Sequence, residues 1–283
     1  MSKTLLIGNG INRCFKDTSW QKAIQDILVS SNSNLTYADI KDVPMNMQIV
    51  LASNDNVDIK MKDFAKKLFE NEVVDRQREL INKIVDCDWD NILTTNYSYE
   101  IEETLGVKRQ LRTYYDLRKW TRDNLNRKDK ILHLYEYNEI NNYPHIWHIH
   151  GDICTPSSII IGHYYYGKIL SAIEQYTSKL ISKYFSNTPY KKESWIDGFV
   201  LDDLYILGFS LDLCEIDIWW LLCYKHRHFK DTKVYFYIPK KDLSNNVRLM
   251  LEVYGVIIKD NIELQKNNYY KYYLDVVEDI KKG

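Results

Sequence analysis

Short apolar runs bounded by turn residues recur along the chain at 4–8 (TLLIG), 91–95 (NILTT), 204–209 (LYILGF), 233–238 (KVYFYI) and 256–259 (VIIK). Runs this short, apolar at successive positions, predict strands buried on both faces, as in a parallel sheet. Between them the period lengthens. Phe64, Ala65, Leu68 and Phe69, continued by Leu80, Ile81, Ile84 and Val85, share one helical face, and so do Ile169, Ile173, Tyr176, Leu180 and Tyr184. Strands alternating with helices predict an α/β fold: a Rossmann-like, doubly wound, mainly parallel sheet whose ligand site lies beyond the carboxyl ends of the strands, where strand order reverses. The stretch between the first and second strands far exceeds a simple crossover, so residues from about 20 to 86 predict a helical insertion beside the sheet. The charged stretch 108–143 predicts a second excursion or flap, ahead of a β-rich region at 145–162 (HIWHIHG, then SIIIG). With no repeat and no low-complexity linker, residues 1–283 read as one domain.

Charge and composition narrow the function classes. The formal net charge of -1 lacks the field that marks most general nucleic-acid binders. The five cysteines are scattered and never paired two residues apart, which argues against a disulfide framework and a zinc ribbon and fits free thiols in a reducing compartment. No stretch approaches the length of a membrane span and the first apolar run is too brief for a signal peptide, so a cytoplasmic location is expected.

Candidate chemistry gathers at turns that follow apolar runs. Gly8-Asn9-Gly10-Ile11-Asn12 can turn sharply and approach a phosphate, although Arg13 stands where the usual dinucleotide fingerprint has its third glycine. Asn96, in Thr94-Thr95-Asn96-Tyr97, suits either a helix N-cap or an amide that bonds a sugar hydroxyl or water. In HIWHIHGD, strand alternation would make His148 and His150 neighbours, as proton-transfer groups or, with Asp152, as metal ligands. Gly208-Phe209-Ser210 leaves a strand ahead of a helix carrying Asp217, Trp219 and Trp220, and Ser210 suits a phosphate, a ribose or the helix N-cap. The tryptophans read as core or subunit contact, and Lys225-His226-Arg227-His228 as compensation of a helix dipole.

The order of these turns, from the Gly-Asn-Gly-Ile-Asn turn through TTNY and HGD to Gly-Phe-Ser, resembles the sirtuin-like family over residues 4 to about 220, and in particular its zinc-free members in bacterial antiphage defence. The resemblance implies an enzyme that hydrolyses NAD to nicotinamide and ADP-ribose, with Asn96 and His150 catalytic. It implies NAD contacts at Gly8, Asn9, Gly10, Ile11, Asn12, Thr95, Gly208, Phe209 and Ser210, and no metal. The four-cysteine zinc module of protein-deacylating sirtuins is absent, which argues against acyl-peptide deacylation; Ser98 stands where those enzymes carry an aspartate. Competing expectations are a sensor that binds NAD or ADP-ribose without cleaving it, and a metal-dependent hydrolase using His148, His150 and Asp152. Because unrestrained NAD loss would harm its own cell, a homo-oligomer or a partner defence protein is expected to gate activity.

Overall fold

The computed structural model describes residues 2–54, 72–106, 111–113, 134, 136–138, 143–155, 158–186 and 189–282. The eight strands are β1 (Lys3–Ile7), β2 (Asn91–Thr94), β3 (Leu111–Thr113), β4 (Glu136–Asn138), β5 (His145–His148), β6 (Asp203–Leu207), β7 (Val234–Tyr237) and β8 (Ile257–Lys259). They form one sheet in the order β3-β4-β5-β2-β1-β6-β7-β8. β5 through β8 in that order run parallel, and β3 and β4 add an antiparallel edge. Counted along the chain, the parallel strands stand third, second, first, fourth, fifth, sixth, which is the doubly wound Rossmann order with its reversal between β1 and β6.

Side-chain alternation divides these apolar strands between two cores. Leu6, Leu93, Trp147, Leu204, Ile206 and Phe236 face one side, where they meet α6 (His163–Tyr184), α7 (Trp195–Leu201), α8 (Ile216–His228) and α9 (Asn245–Val253). Leu5, Ile7, Ile92, Ile146, Tyr205 and Leu207 face the other, against α4 (Asp75–Val85) and α10 (Tyr269–Lys282). A sheet covered on both faces is why its strands read as continuous apolar runs. The series Leu80, Ile81, Ile84, Val85 is the buried face of α4, and Ile169, Ile173 and Leu180 line that of α6. Lys225, in the last turn of α8, turns inward: its ammonium donates to the carbonyls of Val200 and Asp202 and so closes the end of α7, a different helix from its own.

The expected insertion takes a different place from the one foreseen. Among the described residues of that stretch, α4 packs beside the sheet. α1 (Trp20–Ser30), α2 (Tyr37–Ile40) and α3 (Met45–Ala52) build a third cluster with Tyr97, Tyr99, Ile153, Ile159 and Ile161, residues that follow β2 and β5, so these helices roof the carboxyl rim. The SIIIG run is not a strand: Ile159, Ile160 and Ile161 are buried in an irregular segment, where the Ile160 amide donates to the His150 carbonyl and the Tyr97 hydroxyl to the Ile160 carbonyl. Those bonds replace a strand ladder, so burial alone marked this run as β. Of the foreseen flap, the described pieces are β3, β4, Leu134 and Tyr143; the remainder of 108–143, and the face formed by Phe64, Ala65, Leu68 and Phe69, lie outside the described residues.

Candidate active site

Both strands at the reversal end in glycine turns, and the turns touch. The Gly8 amide donates to the Leu207 carbonyl at 2.9 Å and the Gly10 amide to the Gly208 carbonyl at 2.8 Å. A Cβ on Gly10 would stand 2.7 Å from the Gly208 carbonyl oxygen and 2.8 Å from its Cα, so only glycine lets the two backbones meet. The glycines therefore close the floor of the switch point, and the two amides expected to face a phosphate are already engaged within the protein.

Above this floor lies a cleft of about 520 Å³, within the range that accommodates a small-molecule ligand. Asn9, Gly10, Thr95, Asn96, His150, Gly208, Phe209 and Ser210 all line it. Gly8, Ile11 and Asn12 do not; the Asn12 side chain bonds Gln77 and Glu100 beneath the turn. Trp20, Met45 and Asn46 from the helical roof close the opposite side.

Asn96 and His150 each rest on a buried ion pair. The Asn96 side chain makes no hydrogen bond among the described residues, and it caps no helix: the short helix α5 (Glu100–Thr104) has its N-cap at Tyr99. Its backbone carbonyl accepts from His148 Nδ1 at 2.8 Å, while His148 Nε2 lies 2.9 Å from Glu102 Oε1, which also accepts from Asn138. Both ring nitrogens thus face acceptors, an arrangement that suits the imidazolium. Burial works against that charge, but Glu102, joined by Asp152 and the Asn96 carbonyl, outweighs it and holds the His148 pKa up at about 9.

His150 has its own carboxylate. Its Nε2 lies 2.8 Å from Asp217 Oδ2, with both side chains buried, and the Tyr166 ring packs edge-on at 5.5 Å. Burial lowers the His150 pKa, and the charge and hydrogen bond of Asp217, together with the charge of Glu215, more than reverse it, so the net shift is upward. With Nε2 held, Nδ1 is the nitrogen left to meet a ligand. β5 ends at His148, so the alternation that would set His148 beside His150 stops before His150. The two imidazoles go to separate carboxylates, and among the described residues no cluster of His, Cys, Asp or Glu is arranged to hold a metal.

Residues that the motifs did not single out complete the site. Arg13, Tyr97, Tyr166, Asp212 and Glu215 line the cleft. Arg13 is exposed at its mouth, a cation where the fingerprint would place a glycine. Ser210 is not the N-cap of α8; that position is Glu215. The turn between them includes Leu211 at φ 50°, a strained conformation for a leucine, and the Trp219 indole ties it to the helix through the Asp212 carbonyl. Trp219 is buried in the core, and Trp220 stacks on Tyr224 within the same helix. The position of Arg13 beside the glycine turn was a readable signal; the pairing of Asp217 with His150 across 67 residues was not.

A Rossmann sheet with a polar cleft at its reversal places the chain among doubly wound α/β proteins, in which ligands bind at that point. Residues 90–203 match the model of a family described as SIR2-like domain. The matched stretch runs from the residue before β2 to the first residue of β6 and holds Asn96, His148 and His150. This likeness supports the sirtuin-like superfamily and a site that binds or acts on NAD. No curated protein matches the chain.

Proposed function

We propose that this protein is an NAD glycohydrolase, cleaving NAD to nicotinamide and ADP-ribose. The observation that carries the proposal is the meeting of Asn96 and His150 at one cleft on the switch point, one with an unengaged amide and the other backed by Asp217. Breaking the nicotinamide–ribose bond builds positive charge on the sugar, as in glycoside hydrolysis, and needs an oriented ribose with a water beside it. Asn96 orients the ribose or the water, and His150 handles the proton of a ribose hydroxyl or of water. Gly10, Thr95, Gly208, Phe209 and Ser210 contact the nucleotide, and Arg13 offers a charge for its diphosphate. The buried, unbonded carboxyl oxygen of Glu215, which lines the cleft, suits a site that meets a cationic pyridinium ribose.

The resemblance to antiphage members suggests an NAD-depleting effector in the cytoplasm, acting as one domain whose activity is gated by self-assembly or a partner protein. Purified protein mixed with NAD should release nicotinamide, followed by chromatography, and repeating the assay across protein concentrations exposes an assembly requirement. Asn96→Ala and His150→Ala should each lower the rate about a hundredfold or more while unfolding cooperatively like the parent. Full activity in both variants would remove the mechanism. NAD binding without nicotinamide release at any concentration would favour the sensor.

A further inference from the structure

Glu215 caps α8 with its backbone, but among the described residues that role does not use its carboxyl Oε2. It lines the cleft with Asn96 and His150, and its Oε2 is buried without a hydrogen bond among the described residues. Leaving a carboxyl oxygen buried and unbonded opposes folding, so a residue of this kind points to a demand of the site. The titratable groups around it come from every side: His150 after β5, Asp212 after β6, Asp217 on α8, Tyr97 after β2 and Tyr166 on α6.

We propose that Glu215 is the general base of the hydrolytic reaction, taking the proton of the attacking water, while the His150–Asp217 pair holds a ribose hydroxyl. This assignment rests on the hydrolase reading above. The water oxygen forms the new bond to the ribose C1′. The bond from C1′ to the nicotinamide nitrogen breaks, its electron pair leaving with neutral nicotinamide. The water proton passes to the Glu215 carboxylate and then to solvent, so NAD and water give nicotinamide, ADP-ribose and one proton. His150 is the poorer acceptor, because Asp217 occupies Nε2 and favours the protonated ring. Burial lifts the Glu215 pKa, His150 opposes the rise and Asp217 and Asp212 add to it, bringing it to about 7, where a carboxylate is a competent base at cellular pH.

The test begins with the wild-type pH profile, which should show kcat rising through about pH 7 as Glu215 deprotonates. Glu215→Gln keeps the shape but cannot accept the proton. It should lose about a hundredfold or more in kcat together with that rising limb, and keep the thermal shift produced by ADP-ribose. In Glu215→Ala, azide attacks without giving up a proton, so it should restore nicotinamide release and yield ADP-ribosyl azide. A wild-type profile without the limb, a Gln variant that keeps kcat, or an Ala variant that still binds ADP-ribose yet ignores azide each overturns the assignment. Wild-type protein that releases no nicotinamide overturns the hydrolase reading itself and this assignment with it, whereas active wild type beside an active Gln variant overturns only the base.

Discussion

His148 shows how a residue outside the cleft can govern one inside it. Its imidazolium bridges Glu102 and the Asn96 carbonyl, so Asn96 is fixed through its own backbone. The charge also links stability to pH. The folded ring keeps its proton to about 9, against 6.5 for an ordinary imidazole, so between those values the folded state binds more protons than the unfolded chain. The stabilisation is complete below about pH 6.5 and is lost as pH rises through about 9, with a slope of at most about 1.4 kcal/mol per pH unit. Denaturation melts from pH 6 to pH 10 should therefore show this decline in the wild type and a flatter curve in His148→Gln, measured at about equal ionic strength. Equal slopes in the two proteins would mean that His148 is neutral in the fold.

At the scale of elements, the glycine turns after β1 and β6 do two jobs at once. Their backbone contact ties the central strands at the point of reversal and shapes the floor of the cleft. Gly10→Ala pushes a methyl group against backbone atoms of Gly208, which cannot rotate away as a side chain could. It should cost roughly 1–3 kcal/mol of stability, read as a lower denaturation midpoint, and weaken ADP-ribose binding in calorimetry by spreading the floor. Unchanged stability and affinity would show that the turns separate freely. The helical roof from α1 to α3 is packed through Ile24, Ile27 and Ile49 against residues following β2 and β5, Ile159 among them.

For the whole molecule, the cleft draws on the ends of β1, β2, β5, β6 and β7 and on helices from both halves of the chain. A ligand that fills it should therefore stabilise the fold as a unit. ADP-ribose at about 100 times its Kd should add about 2.7 kcal/mol to the unfolding free energy, visible as an upward shift of Tm that grows with concentration. A Tm indifferent to ADP-ribose would place the nucleotide elsewhere or nowhere. Among the described residues no helix is long and apolar enough to cross a membrane.

Local chemistry was enough to determine β1, β2, β6 and β7 as buried strands, and the α/β class with them, because each depends on the apolar character of a few consecutive residues; β8 is a partly exposed edge strand instead of a buried one, and β3 and β4 carry no such run. It also marked Asn96, His150 and the two glycine turns, whose residue types are unusual just after an apolar run. The sequence could not tell that SIIIG is a buried loop, since burial makes the same apolar run whether carbonyls are met by a ladder or by Tyr97 and His150. Nor could it tell that the helical insertion roofs the rim, or that the glycines serve each other. The carboxylates were hidden for the same reason: Glu102 reaches His148 across 46 residues and Asp217 reaches His150 across 67. Contacts at such separation leave no periodicity in the chain, and only the winding of the strands about β1 and β6 brings them together.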